Sequence, residues 1–299
     1  MQPFDLSQTG AYQTWRAAKL ASHPQQVADL VVNVADPRSL QHEERQALIE
    51  RCQVANMAIY RSQVLLEDKS VALQLASQLG LHRLDGNWLA DEDGVSQIAV
   101  TVAQGGRKAL IPYTHHPIKW HTDGYYHSPS RQICAMVLHC VRQARSGGAT
   151  AVMDHEMAYI ALRDANPDWV AALMAPDAMT IPERLDDDGV ARAAQTGPVF
   201  SVDAVSGSLH MRYTARTRSI SWKDHVATRD AVAFLEQLLS SNHPAIFRLG
   251  LEPGMGLVCN NVLHDRTGFD DDPAHPRLLY RARYLDRITT GEPGVSTST

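Results

Sequence analysis

The sequence predicts a mainly β protein with helices, whose core is a double-stranded β-helix (a jelly roll of the cupin type) with helical decoration. Three observations predict this fold. From about residue 87, short β-rich runs follow one another and are divided by Gly, Asp and Pro. A few helical segments interrupt these runs instead of alternating with them regularly. Polar residues that suit a metal lie on predicted strands far apart in sequence, and a jelly roll brings such strands together.

The first part of the chain, residues 1–85, is predicted to contain helices and one strand packed outside the barrel. Helices are expected at 11–19, 24–32, 39–52 and 70–79, and a strand at 57–60. In the second helix Val27, Leu30 and Val31 have helical spacing, Ser39 is the expected cap of the third, and Gly80 is expected to end the fourth.

The predicted jelly-roll core covers residues 86–288 and contains a helical insert near 155–174. The expected strands are 98–102, 132–138, 149–154, two within 199–212, and then 245–251, 256–260 and 278–285. A further helix is expected at 227–239, a break at 105–108 and a polar loop at 183–189. Residues 1–288 are thus expected to form a single domain, with 289–299 as a flexible tail.

Composition excludes several classes of protein. The chain has 299 residues, 44% hydrophobic and 20% charged, which is ordinary for a globular protein. A net charge of -5 gives no basic surface for nucleic acid, and neither a polybasic cluster nor a long apolar run indicates a membrane. The start of the sequence does not resemble a signal peptide, and its four cysteines form no CxxC pair. A cytoplasmic protein with reduced, buried thiols is expected.

The most informative stretch is His121-Thr122-Asp123. In an extended strand residues i and i+2 point to the same face, so an imidazole and a carboxylate would converge there. His264, far downstream, can supply a third ligand. Two histidines and one carboxylate in this order indicate a facial triad, which holds Fe(II) and leaves the opposite face open for substrate and O₂.

Three motifs in this order resemble the TauD/TfdA family of Fe(II)- and 2-oxoglutarate-dependent dioxygenases, which includes γ-butyrobetaine hydroxylase-like members. They are residues 120–123, the Ser146-Gly147-Gly148-Ala149-Thr150 element and the run 260–284. The resemblance covers about residues 90–288. It implies that His121, Asp123 and His264 bind Fe(II), and that the enzyme uses 2-oxoglutarate and O₂ to hydroxylate a small organic substrate, with release of succinate and CO₂.

The resemblance also implies a cosubstrate site. In the family, an arginine about one strand beyond the distal histidine pairs with the far carboxylate of 2-oxoglutarate, and here that residue is Arg277. A guanidinium suits this task because its planar fork binds a carboxylate with two hydrogen bonds. Thr150 matches the family's Gly-Gly-x-Thr threonine, which helps to hold the same carboxylate. On local grounds, a β-branched strand residue is an equal alternative for Thr150.

Substrate residues are expected around the same centre. Arg281 lies on the strand face of Arg277 and matches the arginine that contacts the anionic group in taurine-type members. Tyr125 and Tyr126 should flank the metal and would also tolerate a cationic substrate. Arg283 shares this strand face and is a further substrate candidate, but a surface salt bridge is the favoured expectation for it. Structural roles are expected for five further residues. Trp120 is expected in the core, Asn260 and Asn261 are expected to orient the strand of His264, and His115 and His116 are expected in a loop.

Other functions stay open at this point. The same triad serves desaturation and cyclisation as well as hydroxylation, so the fold alone does not fix the outcome. A cupin-type metalloenzyme without 2-oxoglutarate and a noncatalytic metal- or ligand-binding jelly roll are further alternatives. The expected partner is a small anionic or zwitterionic molecule, and a homodimer is the family-level expectation.

Overall fold

The fold is mainly β with helices. A computed structural model describes residues 2–86, 93–100, 111–186, 189–216 and 220–289. The α-helices are α1 (Thr9–Ser22), α2 (Val27–Leu30), α3 (His42–Ala55), α4 (Ser70–Gln78), α5 (His155–Ala165), α6 (Pro167–Leu173) and α7 (Val226–Ser240). Single 3-10 turns lie at Ile111–Tyr113 and Pro129–Arg131.

The strands are short. They are β1 (Val31–Asn33), β2 (Met57–Arg61), β3 (Ser96–Ile98), β4 (Ile118–His121), β5 (Ala135–Arg142), β6 (Ser146–Gly147), β7 (Thr150–Met153), β8 (Met179–Ile181), β9 (Arg184–Asp186) and β10 (Gly189–Arg192). They continue with β11 (Gln195–Gly197), β12 (Phe200–Val202), β13 (Leu209–Met211), β14 (Ser221–Trp222), β15 (Ile246–Leu249), β16 (Met255–Cys259), β17 (Leu263–Arg266), β18 (Phe269–Asp270) and β19 (Leu278–Tyr284).

Two sheets carry the residues of interest. The larger has six strands in the order β1-β2-β16-β5-β19-β3, and the smaller has four in the order β15-β7-β17-β4. All pairings in these sheets are antiparallel except the parallel β1–β2 pair. One apolar cluster contains Met57, Met136 and Leu279 from the larger sheet together with Val152 and Phe247 from the smaller. The two sheets therefore bury a shared core.

Helices cover the remaining apolar surfaces. Leu48 of α3 and Leu75 of α4 belong to a second cluster with Tyr280, which alternates with Leu279 along β19. Because neighbouring strand residues point to opposite faces, β19 is buried on both sides. A third cluster joins α5, α6 and α7 to the short strands of the insert, with Leu162 and Leu235 fully buried in it.

Most predicted elements are confirmed, and the differences have local causes. The expected 24–32 helix is only the short α2, because Val31 enters the sheet as β1. Helix α3 begins at His42, not Ser39, since Gln41 and Glu44 form the capping box. The 183–189 segment is not a loop, because β9 and β10 pair there as a hairpin. The 105–108 break and nearly all of the 289–299 tail lie outside the described residues.

Candidate metal and cosubstrate site

Two histidines lie side by side on neighbouring strands of the smaller sheet. In the antiparallel β4–β17 pair His264 stands directly opposite His121, and their ring centroids are 4.2 Å apart. Each Nδ1 lies close to a backbone carbonyl oxygen, that of Lys119 at 2.9 Å and that of Val262 at 3.0 Å. Because a carbonyl oxygen only accepts hydrogen bonds, each Nδ1 carries the proton and each Nε2 keeps its lone pair. Both rings therefore present a free donor atom.

Asp123 lies close to the two imidazoles, but the backbone that places it there is not the regular strand that was predicted. Strand β4 ends at His121, so the two residues do not share a regular strand face. The chain instead turns at Gly124, which has φ +67°, and the side chain of Asn261 holds the turn. Asn261 Oδ1 accepts the Asp123 N–H at 2.7 Å, and its Nδ2 donates to the Asp123 carbonyl at 3.0 Å. A long-range amide clamp thus places the carboxylate.

The three side chains form a group that fits a metal ion. Ligand atoms of His121, Asp123 and His264 all lie within 4.8 Å of one another. Asp123 Oδ2 is buried and has no hydrogen-bond partner among the residues that the structure describes, while Oδ1 is 3.1 Å from Arg281 Nη1. A buried carboxylate oxygen without a partner is costly unless a cation meets it. Two imidazoles and one carboxylate are the donor set that suits Fe(II).

The electrostatic setting keeps His121 and Asp123 in the forms that bind metal. Burial and the neighbouring imidazole of His264 lower the pKa of His121 to about 3, so this ring is neutral at physiological pH. Burial alone would raise the pKa of Asp123, but the guanidinium groups of Arg281 and Arg283 outweigh it and hold that pKa well below its usual range. Metal binding to this site therefore needs no deprotonation of His121 or Asp123 near pH 7.

A pocket with about 520 Å³ of empty space opens beside the histidines. Thr150, Arg277 and Arg281 line it together with His121 and His264. The structure thus brings two of the three predicted metal ligands, His121 and His264, and the predicted cosubstrate residues to one cavity, and it places Arg281 there as well.

Arg277 is one of two buried arginines that line this pocket, the other being Arg266. Arg277 is only 6% exposed, and burial lowers the pKa of its guanidinium. The guanidinium lies over the ring of Phe269 at 5.1 Å and makes no hydrogen bond within the described part of the chain. A Cβ on Gly148 would stand 3.4 Å from Arg277 Nε, so the Gly-Gly turn leaves room for this side chain. Arg277 is therefore oriented by packing while its donors stay available.

The predicted substrate residues lie on the Asp123 side. Tyr125 is buried, and its ring meets that of His121 at 6.4 Å and 86°. The Tyr126 hydroxyl accepts a hydrogen bond from Arg283 Nη1 at 3.1 Å. The expected surface salt bridge of Arg283 is wrong, because this residue is 4% exposed.

Comparison with known proteins identifies the family. The family model described as "Taurine catabolism dioxygenase TauD, TfdA family" matches residues 17–283. The chain belongs to the TauD/TfdA family. It is a non-heme iron, 2-oxoglutarate-dependent dioxygenase, as the resemblance implied. The cupin-type alternative without 2-oxoglutarate and the noncatalytic alternative are therefore wrong.

Two relatives of this dioxygenase have a named substrate. A uridine-5'-phosphate dioxygenase from Amycolatopsis sp is 35% identical over 176 residues, which are 56% of this chain and 60% of that enzyme. The chain thus matches less than two thirds of that relative's length. A uridine-5'-phosphate dioxygenase from Streptomyces sp is 30% identical over 208 residues, 66% of this chain and 71% of that enzyme.

Solved structures support the fold of this dioxygenase. The non-heme iron oxygenase OrfP in complex with Fe and alpha-ketoglutaric acid has a TM-score of 0.60 at 16% identity, over 82% of this chain and 80% of that one. PvcB from Pseudomonas aeruginosa has a TM-score of 0.57 at 16% identity, over 89% and 88% of the two chains.

None of this dioxygenase's described helices has the length and apolar character needed to span a bilayer.

The roles of Asn261 and Asp85 in this dioxygenase were not predicted from the sequence. Asn261 was expected to orient the strand of His264, whereas its amide holds the backbone of Asp123. Asp85, a residue without any motif, is 2% exposed and pairs with Arg283 at 2.6 Å. The Asn260-Asn261 pair gave a signal for the first role. Nothing in the sequence around Asp85 indicates the second. Two other expectations are confirmed: Trp120 is in the apolar core, and His115 and His116 are in a loop.

Proposed function

We propose that this dioxygenase hydroxylates a small phosphorylated molecule of the nucleoside 5'-phosphate class and releases succinate and CO₂. The observation that carries the proposal is Arg281, a cation at the metal centre whose ion pairs within the described residues go only to the candidate metal ligand Asp123. We further propose that the two sheets form a double-stranded β-helix and that residues 1–288 are one domain. Both extensions rest on the match to residues 17–283 and on the structural neighbours.

His121, Asp123 and His264 are the proposed ligands of Fe(II). When bound, the iron supplies the activation of O₂ through oxidation of 2-oxoglutarate, and this chemistry belongs to the metal centre. The protein supplies position. The backbone carbonyls behind the two imidazoles fix their tautomers, and the Asn261 clamp fixes the carboxylate.

Arg277 and Thr150 are the proposed holders of the far carboxylate of 2-oxoglutarate. Both line the pocket that also contains the two histidines, so a short dicarboxylate can reach from the histidines to the arginine. A buried guanidinium keeps its charge and offers paired N–H donors, which makes it the strongest side-chain partner for a carboxylate. The Thr150 hydroxyl can donate one further hydrogen bond.

The charges around the site support an anionic substrate. With iron and 2-oxoglutarate bound, Asp123 and one carboxylate of 2-oxoglutarate would balance the charge of Fe(II), and the other carboxylate would balance the charge of Arg277. Arg283 is balanced by Asp85, with which it pairs at 2.6 Å. Arg281 then shares Asp123 with the metal and has no carboxylate of its own. An unbalanced guanidinium at this depth is costly, so an anionic group of the substrate fits there.

Two tyrosines and two further arginines suit a phosphorylated, aromatic substrate. Arg216 lies over the ring of Tyr125 at 5.9 Å, and Arg192 lies over that of Tyr126 at 5.5 Å. The flat rings can pack against a nucleobase, and the cations can meet a phosphate. The substrate named for both relatives, uridine 5'-phosphate, combines these two features.

The test measures succinate release with iron, 2-oxoglutarate and either uridine 5'-phosphate or uridine. We expect turnover with the phosphate and at least about tenfold less with the nucleoside, because each 1.4 kcal/mol of lost ion pairing is a factor of ten. Arg281→Gln should raise KM for the phosphate and leave that for 2-oxoglutarate nearly unchanged. Arg229→Gln, an exposed arginine on α7, is the matched control.

The outcome of oxidation is read from the product. A gain of one oxygen atom before any later breakdown supports hydroxylation, and loss of two hydrogens supports desaturation or cyclisation instead. Equal turnover of uridine and uridine 5'-phosphate would contradict the anionic-substrate proposal. Turnover of neither, with a 2-oxoglutarate complex that forms normally, would refute the nucleoside 5'-phosphate class.

A further inference from the structure

A buried ion pair lies directly behind the candidate metal site. Arg283 Nη2 and Asp85 Oδ2 are 2.6 Å apart, and the side chains are 4% and 0% exposed. The Asp85 N–H also donates to the Arg283 carbonyl at 2.8 Å. The second oxygen of Asp85 accepts a hydrogen bond from Arg131, a half-exposed residue, at 2.8 Å. The aspartate therefore fixes both the backbone and the guanidinium of Arg283.

The other arm of the same guanidinium faces the site. Arg283 Nη1 donates to the Tyr126 hydroxyl at 3.1 Å and lies 3.9 Å from Asp123 Oδ1. One nitrogen thus stands between a predicted substrate residue and a candidate metal ligand. The 3.9 Å contact is electrostatic and too long for a hydrogen bond.

We propose that Arg283, held by Asp85, is a positioning residue for the metal centre. Its guanidinium lies 3.9 Å from Asp123 Oδ1, the oxygen that is 4.0 Å from His121 Nε2, and so helps to fix the orientation of this carboxylate towards the two imidazoles. It also fixes the phenol of Tyr126 at the edge of the site. Neither Arg283 nor Asp85 is a metal ligand or touches 2-oxoglutarate in this scheme.

Arg283 is suited to this role because it is locked in place, and Arg281 is not. Arg281 also reaches Asp123 Oδ1, but it lines the open pocket, and its Nε has no hydrogen-bond partner in the described part of the chain. Arg283 lies outside that pocket lining, and two other side chains fix its fork. A buried ion pair adds little net stability compared with an apolar pair of the same shape. Its place beside a candidate metal ligand gives it a second purpose.

The sign of the effect separates positioning from simple electrostatics. Removing a lone cation near the site would strengthen binding of a divalent metal, since it removes repulsion. Loss of positioning would weaken binding. The double variant Asp85→Asn with Arg283→Gln removes one charge of each sign, so the net charge is unchanged and the electrostatic effect is small. Weaker metal binding by this variant would therefore report positioning.

The experiment titrates metal-free protein with Co(II) alone and follows the visible d–d absorption, which reports the ligand geometry. We expect the double variant to bind Co(II) about 10- to 100-fold more weakly, the usual effect of losing a residue that orients a metal ligand. Arg131→Gln, which removes only the exposed partner of Asp85, should bind within about twofold of wild type, since exposed ion pairs contribute little. Far-UV circular dichroism and a urea titration check the fold of each variant.

A second variant keeps the test decisive if the double variant does not fold. Arg283→Lys retains the charge and can still reach Asp85, but one ammonium group cannot also hold Tyr126 and Asp123. A folded lysine variant with weaker Co(II) binding and altered d–d bands supports positioning. Co(II) binding and spectra equal to those of wild type in the double variant, or in the lysine variant alone if only that one folds, would overturn the proposal. The readout needs no substrate, so it stands apart from the test of the proposed function.

Discussion

Replacing Asn261 should damage both the fold and the metal centre. Its amide makes three buried hydrogen bonds: with the N–H and carbonyl of Asp123 at 2.7 and 3.0 Å, and with the carbonyl of Ile133 at 2.6 Å. Asn261→Gly leaves these three backbone groups without partners. At about 1–3 kcal/mol for each buried group, and with some replacement by water, the free energy of unfolding should fall by about 3–6 kcal/mol.

The backbone of Asn261 allows a second, graded measurement. Its φ is +53°, in the left-handed region that glycine adopts without strain and alanine does not. Asn261→Ala loses the same hydrogen bonds as the glycine variant and adds about 1–2 kcal/mol of backbone strain. The expected order of stability is therefore wild type, glycine variant, alanine variant.

Urea denaturation of the metal-free protein measures these differences directly, and Co(II) titration of the folded glycine variant measures the effect on the site. We expect weaker Co(II) binding, because the backbone that carries the Asp123 carboxylate is no longer held. A glycine variant within about 1 kcal/mol of wild type would refute the clamp, since that is the value of one ordinary hydrogen bond. An alanine variant more stable than the glycine variant would refute the strain argument.

Four further predictions concern other residues of the molecule. Lys19→Met should cost about 3–5 kcal/mol in urea denaturation, because it leaves buried carboxylate charge unpaired. Burial alone would raise the pKa of Asp154, but Lys19 lowers it from 3.8 to about 2, so its contribution to stability is present above pH 3.8 and is lost as the pH falls towards 2. Gly148→Ala places a Cβ at φ +69° and 3.4 Å from Arg277 Nε, and should raise KM for 2-oxoglutarate about three- to tenfold with little change for the substrate. Gly256→Ala places a Cβ 2.4 Å from a backbone oxygen of the neighbouring strand. The free energy of unfolding in urea should therefore fall by about 1–3 kcal/mol or more. An unchanged urea midpoint would contradict the close approach of the two strands at Gly256.

Local patterns were enough to predict most of the elements and the triad. The apolar spacing of α5 to α7 and the β-rich run of β5 report burial, which acts residue by residue along each element. His121, Asp123 and His264 were found because their residue types and order are characteristic of one kind of metal chemistry. The structure gathers them as expected.

The parts that sequence did not predict are long-range pairings. Asn261 and Asp123 are 138 positions apart, and Arg283 and Asp85 are 198 apart, so no local periodicity connects them. The assumption of a continuous strand through Asp123 was wrong because the chain turns at Gly124. Which residue contacts which across the core depends on how the sheets pack, and this information is spread over the whole chain.

The direct opposition of His121 and His264 also bears on how the smaller sheet assembles. Because side chains alternate along a strand, a shift of one residue between β4 and β17 would turn the two imidazoles to opposite faces. A pairing shifted by one residue could thus not bind one metal ion through both imidazoles. The bound ion would link two strands that are far apart in the sequence. At a free metal concentration of a hundred times Kd, it would stabilise the folded state by about 2.7 kcal/mol. Iron supply would then influence how much correctly paired protein a cell holds, in addition to how much of it is active.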